Sequence, residues 1–322
     1  MSPAPVSRDL SLDVLRGGAI LYIVGYYHID KVWMVTLPDS LGRWLARVAL
    51  ALLCFLSGYL LSRSATVGNW GDVWVFYRRR LLRIYPLYFL ALVLFIWSGI
   101  IKENRFWPGV LLYNTLIDLE VRTLWFISMI FVFYLLTPLF LWRKSEQRTL
   151  WLALGITGAL SLAWFGFAQV DARLIPNFVA FAFGIWLSTK KTLTPMLLAP
   201  GWKSLLASLI GTALLAIFTL EDSPDDEEWL AMVGIVAWLL LSLPMLNGVG
   251  QWLAKHLPLR IIAFFSTSSF VLYLIHRIIY LWGEKIWSPT GWLLNLYYVL
   301  ILLPLAAGLS YGIQVLYHRV VK

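Results

Sequence analysis

The chain has 322 residues, of which 60% are apolar and only 13% charged, with 18 Trp and a mean hydropathy of +0.77. Globular domains carry about a quarter charged residues, so this balance excludes a soluble fold. The net charge of +9 reflects membrane topology and contact with lipid head groups rather than nucleic acid. A single cysteine, Cys54, excludes internal disulfides and cysteine-ligated metal clusters.

Apolar stretches recur at about the 20 residues that a helix needs to cross a bilayer. Ten spans are predicted, over residues 10–29, 44–62, 82–101, 123–141, 150–168, 174–188, 202–220, 229–246, 261–282 and 291–317. The sixth is short and the tenth contains Pro304. Segments so long and uniformly apolar do not fit the alternating pattern of an outer-membrane barrel. The expected fold class is all-α, a polytopic integral membrane protein of about ten transmembrane helices, with residues 1–322 forming one domain and no fused soluble domain. If the N-terminus is cytoplasmic, the inner segments hold twice as many Lys and Arg as the outer ones, and the acidic run Glu221–Glu228 falls outside. That bias places both termini in the cytoplasm. No basic region precedes a small-residue cleavage site, so the first span is expected to be retained.

The first span opens with Leu12-Asp13-Val14-Leu15-Arg16-Gly17-Gly18 and closes with Gly25-Tyr26-Tyr27-His28. A charged residue at membrane depth costs about 3 kcal/mol or more, and such residues line cavities or reaction paths. Twelve residues put Arg16 and His28 roughly 18 Å apart along a helix, with Arg16 in the cytoplasmic half and His28 toward the outer face. A guanidinium stays charged and forks onto phosphate oxygens, whereas an imidazole suits general-base work. Taken alone, the two residues fit a snorkelling Arg and an interfacial His equally well.

The third span is entered through Tyr77-Arg78-Arg79-Arg80-Leu81-Leu82-Arg83-Ile84-Tyr85-Pro86-Leu87-Tyr88. Arg80 and Arg83 are three apart and share a helix face, so they suit the phosphates of a nucleotide-bearing donor; a basic cluster that only fixes orientation has the same composition. The fourth span begins at the outer face with Thr123-Leu124-Trp125-Phe126-Ile127-Ser128, where Trp is also common as a belt residue. In the ninth span Ser269, Tyr273 and His276 form one stripe, with His276 and Arg277 at the depth of His28. Stripes of this kind also hold helices together. There is no Walker loop, no His-Glu-x-x-His and no Gly-x-Ser-x-Gly elbow. Ser57-Gly58 is read as a close helix-packing site.

Taken in order, these segments resemble the membrane acyltransferase-3 family. The likeness rests on the Leu12 to His28 run, Phe55-Leu56-Ser57-Gly58-Tyr59, Arg80-x-x-Arg83-Ile84-x-Pro86 with Tyr88, and Leu124-Trp125-Phe126. It continues in Pro176-Asn177-Phe178 with Gly184, and in Ser269 through Tyr273-Leu274-Ile275-His276, so that it covers nearly the whole chain. The resemblance implies O-acyl transfer, usually acetyl, with acetyl-CoA or another acyl-CoA as the cytoplasmic co-substrate and no metal. The acceptor it implies is a hydroxyl of a glycan or other carbohydrate, as in polysaccharide modification or on a lipid-linked sugar, often on the outer side. The expected location is the bacterial cytoplasmic (inner) membrane. By position, Arg16, Arg80 and Arg83 bind the acyl-CoA, His28 is the catalytic base, and Trp125, Ser128, Tyr273 and His276 line the acceptor side. The sequence does not give the oligomeric state.

Two departures from the family pattern bear on the site. The family usually separates its Arg and His by eleven residues; here the gap is twelve. At about 100° per residue, twelve steps leave His28 roughly 120° from Arg16, and a one-residue π-bulge near Gly25 would restore the alignment. Ile130 also stands where many members carry a Glu. A transporter or flippase using the buried Arg and His for an anionic substrate is the competing reading. It predicts inverted repeats, and the sequence shows no such symmetry.

Overall fold

The computed structural model describes residues 9–32, 39–117, 119, 121–167, 170–190, 201–219 and 228–321. Of the acidic run expected outside, residues 221–227 lie outside the described residues. The described residues contain no strand. In chain order the helices are α1 (Leu10–Gly25), α2 (Asp39–Ser64), α3 (Trp70–Trp97), α4 (Phe106–Val110), α5 (Trp125–Leu141) and α6 (Glu146–Phe167). They continue with α7 (Leu174–Leu187), α8 (Trp202–Thr219), α9 (Glu228–His256), α10 (Leu259–Ile286), α11 (Trp292–Tyr297) and α12 (Leu303–Val321).

Each of the ten predicted spans overlaps one of these helices, the tenth falling on α11 and α12 together. Among the described residues, seven segments are long and apolar enough to cross a membrane: Leu41–Ser64, Trp70–Trp97, Arg122–Leu141, Glu146–Gly166, Gly234–His256, Leu259–Ile286 and Trp292–Val321. The protein is therefore a multi-pass membrane protein. The helices α1, α7 and α8 are shorter, with 16, 14 and 18 residues.

Local chemistry explains several boundaries. Asp9 caps α1 by accepting the Ser11 amide. Asn69 and Asp72 form a reciprocal capping box at the start of α3, so that helix begins well before the apolar span and carries Arg78 to Arg83 on its first half. Pro304 has no N–H to offer an upstream carbonyl. The chain takes a π-turn over Tyr298–Leu302 just upstream of it, and such a local departure from α-helical bonding accommodates the missing donor within the run Trp292–Val321.

The closest helix pair is α2 with α7. A Cβ on Gly58 would lie 2.1 Å from the Phe181 carbonyl oxygen, and one on Gly184 would lie 2.3 Å from that of Phe55. Small residues of this kind let membrane helices approach backbone to backbone, the role expected of Gly58. Beside this seam, Phe133 packs on Phe178 and Phe181 at 5.5 and 5.4 Å.

Polar contacts set the direction of α1. Arg16 Nη2 donates to Ser266 Oγ at 2.5 Å, and His28 Nδ1 lies 2.7 Å from His276 Nε2. The partners advance together along both chains, so α1 and α10 run parallel. On another side of α1, the Ser11 hydroxyl donates to Asn247 Oδ1 of α9 at 3.1 Å. The C-terminal ends of α2, α5 and α7 meet at Lys144, whose ammonium donates to the Ser62 carbonyl at 3.0 Å and to Ser188 Oγ at 2.9 Å. Burial at that knot lowers the Lys144 pKa from its ordinary value.

Gly58→Ala and Gly184→Ala are expected to cost about 3 kcal/mol each through backbone overlap. Gly155→Ala in α6, where nothing lies within 4 Å of the added Cβ, is expected to be neutral or stabilising by up to about 1 kcal/mol. Thermal denaturation of the detergent-solubilised protein separates the two classes.

Candidate active site

The α1 helix stops at Gly25. Tyr26 leaves helical geometry at φ −124° and ψ −68°, and the chain continues as a 3-10 turn over Tyr27–Val32. The extra residue between Arg16 and His28 is thus absorbed by a helix break, not by a π-bulge, and the turn carries His28 onto α10. The break occurs where a Cβ on Gly25 would sit 3.1 Å from the Leu303 side chain.

His28 is half-buried and His276 fully buried. Their ring planes differ by 5° and their centroids lie 4.8 Å apart. His276 Nδ1 lies 3.0 Å from the Leu272 carbonyl oxygen one turn back. Tyr273 and Tyr280 flank the His276 ring at 6.0 and 5.7 Å. Both hydroxyls are fixed: Tyr273 donates to the Thr123 carbonyl at 2.8 Å and Tyr280 to the Val24 carbonyl at 3.1 Å. The predicted stripe of Ser269, Tyr273 and His276 is buried throughout; Tyr273 meets the backbone before α5 and His276 the turn after α1, while the Ser269 hydroxyl donates to the Ser266 carbonyl of its own helix.

Around Trp125 the structure adds residues that sequence reasoning missed. The Arg173 guanidinium stacks over the Trp125 ring at 4.0 Å, held there by Asp171, which accepts from Arg173 Nε at 2.8 Å and from Nη2 at 2.7 Å. A small cavity of about 50 Å³ is lined by Arg47, Trp125, Arg173 and Asn177, among others. Ring contacts run from Trp125 to Phe126 at 6.0 Å, from Phe126 edge-on to Tyr273 at 5.5 Å, and from Tyr273 to His276 at 6.0 Å. Arg173 stands just before the Pro176-Asn177-Phe178 motif, and Arg47 lies four residues after Arg43. Those spacings were the available signals.

Ser128 is fully buried, 3.1 Å from the Tyr88 hydroxyl, which donates to the Gly109 carbonyl at 2.9 Å. It joins α3, α4 and α5.

Farther along α1, Arg16 donates to Asp13 at 2.8 Å while the Ser266 hydroxyl also donates to Asp13 at 2.9 Å. The three side chains close a ring in which the Ser266 oxygen accepts from Arg16 and passes its own hydrogen to the carboxylate. On α3 the Arg80 guanidinium sits between the rings of Phe76 and Tyr134 at 5.6 and 5.8 Å. Its buried Nε has no partner among the described residues. A cavity of about 420 Å³ adjoins it, lined by Trp74, Tyr77, Arg78 and Tyr134 as well as Arg80. Arg83 is exposed and does not line that cavity, whereas Arg78 does. Among the described residues, no three His, Cys, Asp or Glu side chains gather to hold a metal ion.

With this geometry in hand, a family model described as an acyltransferase domain matches residues 9–315. The chain belongs to this membrane acyltransferase family. It is also 26% identical over 275 residues to Acyltransferase MdmB of Streptomyces mycarofaciens, which covers 75% of this chain and 70% of that protein. No solved structure matches it. The family match begins at the Asp9 cap and ends within α12, and so takes in Arg16, His28, Arg80, Arg83, Trp125 and His276.

Because Ser128 meets Tyr88 in a helix joint, Ser128→Ala is expected to lower stability by about 1 kcal/mol while changing acyl transfer by less than about threefold. Thermal denaturation and a turnover assay on one preparation read both effects.

Proposed function

We propose that this acyltransferase takes an acyl group, most simply acetyl, from cytoplasmic acyl-CoA. It passes the group to a hydroxyl of a carbohydrate or lipid-linked glycan at the outer face of the bacterial inner membrane. One observation carries the reading. The parallel pair α1 and α10 holds an arginine site, Arg16 with Ser266, at one level and an imidazole pair, His28 with His276, at the other. These levels are roughly 15 Å apart on the ten-residue helical rise of α10 from Ser266 to His276. A phosphate anchor and a base are thus spread over a distance that a pantetheine arm can bridge.

The topology has independent support. If α1 and α10 are parallel, an odd number of crossings separates them, as the seven helices α2, α3 and α5 to α9 supply. That favours ten crossings with both termini on one side. Lys144, Lys190, Arg148 and Arg63 gather where α2, α5 and α7 end, and such a basic cluster marks the cytoplasmic side.

In the proposed reaction, Arg80 holds the phosphates of the acyl-CoA with Arg78 beside it and the exposed Arg83 at the entrance, and Arg16 acts deeper along the path. His28 takes the proton of the acceptor hydroxyl as the oxygen attacks the thioester carbonyl. The new C–O bond forms, the C–S bond breaks, and the proton passes from His28 to the departing thiolate, releasing CoA as a free thiol. Trp125 and the residues around it line the acceptor side. Membership of an acyltransferase family favours this chemistry over transport of an anion.

Calorimetry with acetyl-CoA on detergent-purified protein tests the assignment. Arg80→Ala is expected to weaken binding by about tenfold or more, and to a greater degree than Arg83→Ala. His28→Ala is expected to bind within about threefold of wild type but to turn over about 100-fold more slowly. Failure of the wild type to bind acetyl-CoA contradicts the donor assignment, and near-normal turnover by His28→Ala contradicts the base.

A further inference from the structure

We infer that His276 is a positioning residue: it fixes the tautomer of His28 and thereby makes Nε2 of His28 the basic nitrogen of the site. The inference rests on the reading of His28 as the base and says which of its two nitrogens acts and why.

The Leu272 carbonyl, 3.0 Å from His276 Nδ1, can only accept a hydrogen bond, so that nitrogen carries the proton. A neutral imidazole with a protonated Nδ1 presents Nε2 as an acceptor. His28 Nδ1, 2.7 Å away, must therefore be the donor and carry its own proton. Neutral His28 then keeps its lone pair on Nε2, the one nitrogen left for a substrate.

Ring geometry supports that assignment. Two planes only 5° apart that share a 2.7 Å N···N contact cannot be stacked face to face at van der Waals separation. They lie edge to edge, with the hydrogen bond in the plane of both rings, where an sp² lone pair points. The centroid separation of 4.8 Å is close to the sum of one such bond and two ring radii. Tyr273 and Tyr280, whose hydroxyls are tied to backbone carbonyls, brace the His276 ring from two directions. The base is thus oriented by a group that is itself oriented, as nucleophile–base–orienter systems require.

A carboxylate in the orienting position would add a negative charge to a buried seam, with a large desolvation cost. A neutral imidazole performs the same task without one. It also denies His276 the role of base, because both of its nitrogens are engaged, one by Leu272 and one by His28. When Nε2 of His28 accepts the acceptor proton, the resulting imidazolium donates through Nδ1 to the His276 lone pair, a charge-assisted bond stronger than the resting one.

Three full-length proteins in nanodiscs, the wild type, His276→Gln and His276→Leu, test the inference by turnover of acetyl-CoA, acetyl-CoA affinity and 15N NMR of labelled histidines. A Gln carbonyl oxygen can accept where Nε2 accepts; Leu cannot. The expected result is donor affinity unchanged within about threefold, kcat reduced about 100-fold or more in the Leu variant, and at least about tenfold recovery in the Gln variant. In the wild type, His28 should show a pyridine-type Nε2 and a protonated Nδ1. A Leu variant as active as wild type, a Gln variant no better than Leu, or a wild-type His28 protonated at Nε2 overturns the inference. The NMR reading on the wild type stands even if the variants fold poorly. Full activity of His28→Ala removes the base itself, a result distinguishable from failure of the orienter alone.

Discussion

Inside a bilayer a polar side chain has no water to fall back on, and one left without a partner costs several kcal/mol. In this protein that penalty is met by pairing polar groups between helices. The Asp13–Arg16–Ser266 ring and the His28–His276 contact fasten α1 to α10 at two levels. Ser11 fastens the start of α1 to Asn247 of α9, and Tyr273 reaches from α10 to the backbone before α5. The residues suited to chemistry are also the ones that fix which helices are neighbours. Donor-affinity measurements on their variants therefore distinguish a structural effect from a chemical one.

The membrane architecture was the most legible part of the sequence, because bilayer thickness imposes a length on every apolar segment. Less legible were features set by single residues against that background. The capping box at Asn69 and Asp72 extends α3 through a basic stretch that hydropathy alone assigns to its entrance. The short α4 and its flanking turns fold in a connection that carries no apolar period. At Gly25, where a π-bulge would restore the alignment of Arg16 and His28, the structure has a helix break; a π-turn occurs at Tyr298–Leu302, upstream of Pro304. In both places a local departure from α-helix was readable, from a glycine and a proline. Its type depended on the neighbouring helix.

At the site, residue types were legible and partners were not. His28 and His276 lie 248 positions apart, and nothing in either local sequence specifies their contact. The i, i+3 spacing put Arg80 and Arg83 on one face, yet only Arg80 is drawn inward, because Phe76 and Tyr134 offer their ring faces to its guanidinium. Arg47 and Arg173 had only their spacing from Arg43 and from the Pro176-Asn177-Phe178 motif to mark them, and neither spacing says that they meet round Trp125. Ser128 had been assigned to the acceptor side from its place beside Trp125, and its hydroxyl meets Tyr88 instead.

The central claim is directional: the acyl group enters at the arginine end and leaves at the histidine end. Proteoliposomes with the protein inserted in one orientation test it directly, with acetyl-labelled CoA supplied to one compartment and released acetate or acetylated sugar measured in both. The account predicts turnover only when the donor is on the side of Arg80 and Lys144, with label accumulating in the opposite compartment. Equal turnover from either side, or label released only where the donor was added, would contradict it.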